Sequence, residues 1–220
     1  MGEPVMILGK SGSGKSYSCR ELDPDRTIIV SVDGKRLPFS SKDWPKMTSE
    51  NPSGSIYTPR VNGSKAYTVI QKACDEAVAN HGKKVIVIDD SQFLMANEFF
   101  DRAYERGFDK FVDMGKQFHD LILWARGLPD DITIYFLHHL ELDADGSKKV
   151  KTVGKLLDNQ TSIEGKFTIC LLADKDEDSY KLKSSVPSES IFKAPPEMLD
   201  DEMDNDLAVV DSRIREFWNI

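Results

Sequence analysis

The chain has 220 residues, 40% hydrophobic and 30% charged, with three cysteines and a formal net charge of −8, which suits one substantial core and excludes a short disulfide-stapled scaffold. A mean hydropathy of −0.41, with no apolar run near the roughly 18 residues of a membrane span, excludes a helical membrane protein and predicts a soluble one. Seven acids between 197 and 211 (Glu197, Asp200, Asp201, Glu202, Asp204, Asp206, Asp211) meet no base there; the remainder is close to neutral, so composition excludes a strongly basic nucleic-acid binder but not a local basic groove.

In chain order, Pro4 to Leu8 reads as a buried strand, followed by a Gly/Ser loop and then a helix. Thr27 to Val32 is a second strand. From Gly34 to Gly63, Pro38, Pro45, Pro52 and Pro59 predict a long irregular excursion with a small hairpin near Ile56 to Thr58. Ala66, Val69, Ile70, Ala73, Ala77 and Val78 recur at helical spacing, with Gly82 as C-cap. A strand at Lys84 to Ile88 follows. Phe93, Phe99, Phe100, Tyr104 and Phe108 then alternate with Arg102, Arg106 and Lys110, a pattern that predicts an amphipathic helix burying its rings, with base stacking as the alternative. Phe111, Met114, Phe118, Leu121, Ile122 and Ala125 mark the next helix, and Ile132 to Leu137 the next strand. His139 to Glu164 is polar; Phe167 to Ala173 is a fifth strand, and Tyr180 and Leu182 belong to an alternating one. The acidic stretch reads as a solvated linker before a terminal helix with the stripe Leu207, Val210, Ile214 and Phe217.

This alternation predicts an α/β fold of three layers: a mainly parallel sheet flanked by helices, with a C-terminal strand and helix extension. One domain over 1–220 is expected, with the irregular excursion at 34–63 and the acidic segment and terminal helix at 197–220. Ligands in such folds bind at the carboxyl ends of the strands. Cys19, Cys74 and Cys170 form no C-x-x-C pair and the N-terminus shows no leader pattern, which together predict a reducing cytoplasm and no membrane partner.

The loop after the first strand carries the chemistry. Gly9-Lys10-Ser11-Gly12-Ser13-Gly14-Lys15-Ser16 satisfies G-x-x-x-x-G-K-[ST], the P-loop or Walker A pattern. Its glycines let successive backbone N–H groups turn toward phosphate oxygens. Lys15 would reach the β- and γ-phosphates from a solvent-facing position, Ser16 would place its hydroxyl on Mg²⁺, and Tyr17 closes the predicted ATP-binding set. Val85-Ile86-Val87-Ile88-Asp89-Asp90 supplies the acidic strand end, with Asp89 as the Walker B residue, ionised beside the metal. Asp90 and Asp33 compete to orient the attacking water: Asp90 stands where AAA-type ATPases put a glutamate, Asp33 where RecA-type ATPases put theirs. His138, with His139 behind it, ends the fourth strand where related folds place a γ-phosphate sensor; a satisfied structural histidine is the alternative.

On these residues the chain resembles phage-encoded ATP-binding proteins with a compact RecA-like core, including minimal recombinase-like ATPases linked to single-strand annealing. The resemblance rests on Gly9 to Ser16, Val85 to Asp89, the strand ending at His138, Lys151-Thr152-Val153-Gly154-Lys155 before the strand Phe167 to Leu172, Lys193-Ala194-Pro195, Asn205-Asp206-Leu207 and Ile214-Arg215, and so spans nearly the whole chain. It departs where Asp replaces the family's glutamate. It implies an ATP- and Mg²⁺-dependent ATPase of phage DNA metabolism in the host cytoplasm, a homo-oligomer with ATP between protomers. Single-stranded DNA and phage or host replication and recombination proteins are the implied partners. Lys148, Lys149, Lys151 and Lys155, locally +4 over 147–155, are the candidates for trans or salt-sensitive DNA contacts.

Two rivals differ in kind. A nucleotide-gated loader or partner-binding switch would hydrolyse slowly, and ATP turnover with and without single-stranded DNA separates it from a DNA-stimulated ATPase. A small-molecule or nucleotide kinase would transfer phosphate to an acceptor, and the polar segment after the fourth strand lacks the arginines such lids use.

Overall fold

The computed structural model describes residues 1–61, 63–143, 146–153, 162–177, 179–187 and 189–220. Its strands are β1 (Glu3–Gly9), β2 (Thr27–Ser31), β3 (Ile56–Tyr57), β4 (Val85–Asp89), β5 (Thr133–Leu142), β6 (Lys148–Val150), β7 (Ile169–Lys175), β8 (Tyr180–Lys183) and β9 (Glu202–Asp204), with the apolar runs β2, β4, β5, β1 and β7 at the centre. The order across the sheet is β3-β2-β4-β5-β1-β7-β8-β9. The first six are parallel, and β8 and β9 add on antiparallel. Strand β5 therefore lies between β1 and β4, and its register sets Leu8 beside His138 and Gly9 beside His139. The P-loop, the acidic end of β4 and the histidine pair consequently share one edge of the sheet.

Strands covered on both sides need apolar residues at every position, and this sheet has them. On one face Met6, Leu8, Ile86, Ile88 and Phe136 pack with α1 (Ser64–His81), α2 (Gln92–Asp101) and α3 (Asp109–Gly127). On the other, Val5, Ile7, Val85, Val87 and Tyr135 meet α4 (Leu207–Trp218), with Trp44 of the excursion filling space between elements. Gly82 ends α1 in the left-handed conformation expected of it, φ 67°. The architecture is the predicted α/β one, a mostly parallel sheet flanked by helices, consistent with a P-loop NTPase. Among the described residues no helix is long and apolar enough to cross a membrane.

Several local expectations are corrected. Ile56–Tyr57 pairs parallel with β2 and is no hairpin. The polar stretch after His139 begins with the continuation of β5 to Leu142, which pairs antiparallel with β6. The segment after the P-loop is a 3₁₀ helix of six residues, Ser16–Glu21; Ser18 Oγ bonds back to the Lys15 carbonyl, and Pro24 bars helix soon after. Nor is the acidic stretch a solvated linker. Asp204 pairs with Lys181, Glu202 with Lys183 and Asp211 with Arg215, while the Asp206 carboxylate accepts the Ala208 N–H at 2.8 Å and caps α4. In α4, Leu207, Val210 and Ile214 are buried as predicted, but Phe217, the fourth member of the predicted stripe, is 40% exposed.

Candidate functional site

The P-loop is shaped by close approach. Gly12 and Gly14 have φ of 77° and 91°, a region that L side chains avoid. A Cβ on Gly14 would stand 2.6 Å from the Tyr180 ring and 2.8 Å from Asn205 Nδ2, and one on Gly9 would collide with Ser13 Oγ and the Ala173 carbonyl. Asn205 also donates to the Gly14 carbonyl at 3.0 Å, so the C-terminal segment braces the loop from behind. Lys10, Ser11 and Gly12 form the exposed lip. The Ser13 hydroxyl is buried without a hydrogen-bond partner, an orphaned donor in a loop whose backbone suits anions.

Lys15 does not face solvent as expected. It is 5% exposed, and its ammonium donates to the Gly9 and Lys10 carbonyls, both at 2.9 Å. Burial pushes its pKa down to about 8, against the pull of Asp90 and Asp89. The lysine thus lies curled inside the loop it serves, on acceptors that a phosphate could replace.

Across 73 residues of chain, Ser16 Oγ donates to Asp89 Oδ1 at 2.7 Å. Burial raises the Asp89 carboxyl to about 6 despite that bond, which leaves it mostly ionised at neutral pH, as expected, and a cation beside it would favour that form further. Among the described residues no cluster of three or more His, Cys, Asp or Glu side chains could hold a metal alone. One hydroxyl and one carboxylate suit Mg²⁺, which keeps waters and borrows phosphate oxygens rather than occupying a protein cage.

The two competing carboxylates meet at a residue that the sequence reading passed over. Lys35 Nζ lies 3.1 Å from Asp33 Oδ2 and 3.1 Å from Asp90 Oδ2, over the Phe93 ring at 4.5 Å. Asp90 also faces His139 Nε2 at 3.4 Å through its other oxygen. Burial alone would raise the Asp90 carboxyl, but His139 and Lys35 hold it well below the usual carboxylate range. Asp90 has φ 59°, a left-handed conformation that costs a non-glycine residue on the order of 1 kcal/mol. No spacing pointed to Lys35, because Asp90 lies 55 residues further along the chain.

His138 takes the alternative weighed for it. Its ring is fully buried, edge-on to Phe118, with Nδ1 2.9 Å from Ser91 Oγ and Nε2 2.7 Å from the Lys151 carbonyl. A carbonyl only accepts, so Nε2 carries the proton and Nδ1 accepts from Ser91. Both nitrogens are engaged within the protein, and burial pushes the pKa down to about 4. The ring ties β5 to the backbone at Lys151.

Beside the loop, Tyr17 is half-buried with its ring 5.7 Å from that of Tyr180 and the Arg20 guanidinium 4.4 Å over it. Of the candidate lysines, Lys148 pairs with Glu189 at 2.9 Å and Lys149 lies near Glu141 and Asp143, while Lys151 is exposed; Lys155 lies outside the described residues. The aromatic segment meets its expectation only in part: Phe93 and Phe99 are partly buried on α2, but the helix ends at Asp101. Phe100, Tyr104 and Phe108 are 71%, 99% and 71% exposed, and beneath them Arg102 is bound by Glu98, Glu105 and Asp113.

No family model matches the chain. Over 52 residues, 22% of this chain, it is 42% identical to the glutamate transport ATP-binding protein GluA of Corynebacterium efficiens. The aligned stretch covers about a fifth of that relative's length (22%).

Proposed function

We propose that the chain binds ATP at Gly9 to Ser16 and hydrolyses it with Mg²⁺. The observation that carries this reading is the Ser16–Asp89 hydrogen bond, which joins the P-loop to the acidic strand end. The stretch of similarity to an ATP-binding protein agrees with it. In this reading the loop N–H groups and the Ser13 hydroxyl receive phosphate oxygens, and Lys15 exchanges its two carbonyls for them. Ser16 and Asp89 would hold Mg²⁺, whose chemistry is to neutralise phosphate charge. Asp90, better shielded than Asp33 and next to Asp89, orients the water. Phosphate release on mixing protein, ATP and Mg²⁺ is the test: transfer to an acceptor instead of release would make it a kinase, and no turnover above background would leave a binding switch.

The finer reading is a RecA-like ATPase of phage DNA metabolism, oligomeric, with a basic residue such as Lys151 reaching a neighbour's site. Support for a link to single-stranded DNA comes from the exposed rings Phe100, Tyr104 and Phe108, which offer stacking faces. Of the cations near them, Arg102 is held by three carboxylates and Lys110 by the Arg102 and Glu105 carbonyls, which leaves Arg106, exposed between Tyr104 and Phe108 in sequence, for a phosphate. Stacking more than phosphate contact would then carry binding, and its salt dependence would be shallow. Turnover with and without single-stranded DNA at two salt concentrations tests this, and a steep salt dependence would return the contact to the lysines.

A further inference from the structure

The turn after β2 aims a cation at the site. Gly34, at φ 66°, reverses the chain, and its N–H bonds to the Ser31 carbonyl at 3.3 Å. This brings Lys35 back over the sheet edge, where Phe93 supports it from below. Its ammonium is shared equally between Asp33 and Asp90, 3.1 Å from each, although the side chain is 58% exposed. A half-exposed lysine between two carboxylates is held by charge rather than by packing, and a stronger anion can draw it away. Such an anion is expected close by: Asp90 follows Asp89, whose partner Ser16 closes the phosphate-binding loop. Lys35 and Lys15 also lie close enough to repel.

We propose that Lys35 is a positioning residue that senses the terminal phosphate: a nucleoside triphosphate draws its ammonium off Asp33 and Asp90, and leaves Asp90 to His139. A diphosphate lacks the group that draws it. The proposal rests on the P-loop reading above. It predicts that Lys35 distinguishes ATP from ADP in binding, before any chemistry occurs, whereas Lys15 serves both.

The test is the ratio of ATP to ADP affinities, measured by calorimetry on the full chain with Mg²⁺ at a temperature where turnover is negligible. Lys35→Met should weaken ATP binding by about tenfold, the scale of one charge-assisted contact, and leave ADP within about twofold. Lys35→Arg should restore most of the preference. Circular dichroism should show both variants folded, because the side chain is half in solvent. An unchanged ratio in Lys35→Met, with ATP still bound, overturns the sensing role alone. Equal loss of ATP and ADP would make Lys35 structural and overturn it too. If the unaltered protein binds neither nucleotide, the P-loop reading falls and this proposal with it.

Discussion

The P-loop and the corner between α2 and α3 are both turned inside out, in opposite senses. At the loop, the polar groups of the proposed nucleotide site are buried: Lys15 and Ser13 sit below the surface, and Asp89 is 8% exposed. At the corner the apolar groups are outside, with Phe100, Tyr104 and Phe108 in solvent, while Glu98 and Lys110 lie beneath them. The loop's polar groups largely rest on backbone carbonyls or on one another, an arrangement a ligand can enter by exchange. At the corner Arg102 is held by the Glu98, Glu105 and Asp113 carboxylates, while Lys110, like Lys15, rests on two backbone carbonyls, those of Arg102 and Glu105. Neither inversion nor a lysine on carbonyls therefore marks a ligand site; the loop differs from the corner in its glycine-shaped backbone and in the Ser16–Asp89 bond that joins it to a strand end.

The hardest way to break the comparison is to remove the exchanging group. Lys15→Ala should cut ATP turnover by roughly 10²-fold or more and abolish tight binding, since a buried cation matched to phosphate is lost. Turnover unchanged in a folded variant would place the phosphates elsewhere. Asp89→Asn should remove Mg²⁺-dependent turnover while keeping some nucleotide affinity, which a metal titration reads.

Next in size is the pair at Lys35. Asp90→Asn should lose roughly 10²-fold in kcat with ATP still bound, and Asp33→Asn little. Steady-state rates at saturating ATP decide between them. A reversed outcome would move the water to the β2 side, and two unaffected variants would remove both carboxylates from the reaction.

His138 sharpens the comparison, because it is a polar group at the sheet edge whose partners are all internal. An ordinary histidine takes its proton near 6.5, and burial moves this one to about 4. Between those values the unfolded chain binds more protons than the folded one. The stability it confers is thus complete above about pH 6.5 and is lost as pH falls toward 4, by up to about 3 kcal/mol. Urea unfolding at pH 7.5 and 4.5 should show that loss, and His138→Gln should show less of it. Equal losses in both proteins would mean that other groups carry the acid sensitivity.

What the sequence made legible follows the same division. The P-loop and Asp89 could be read because a short string of residue types dictates a backbone shape, and the strand alternation around it needs only local periodicity. Lys35, Tyr180 and Asn205 could not, because their roles arise where β2, β8 and the end of β9 converge on the loop, contacts that no spacing encodes. Lys15 was expected in solvent because a charged side chain usually is; its two carbonyl acceptors are supplied by the loop's own curl. At 93–110 the helix stops at Asp101 and the chain turns over 102–108, so Phe93 and Phe99 lie on the inner side while Phe100, edge-on to Phe99, and Tyr104 and Phe108 stay outside.

The smallest expected effect tests that last point. Were Phe100, Tyr104 and Phe108 part of the core, as an amphipathic reading of 93–110 requires, each truncation would cost about 3–5 kcal/mol, as Phe118→Ala should at the buried centre of α3. Because they stand in solvent, Phe100→Ser, Tyr104→Ser and Phe108→Ser should each shift stability by no more than about 0.5 kcal/mol. Denaturant midpoints at constant slope measure this directly. ATP turnover without DNA should be unchanged in the triple variant, since none of the three rings lies among the residues at Lys35, Asp89 or the P-loop. If these rings stack single-stranded bases, the same variant should lose DNA affinity while keeping its fold and basal rate, a combination that burial in the core could not produce. A large drop in stability would instead mean that the corner closes over its rings in solution, and the contrast with the P-loop would disappear.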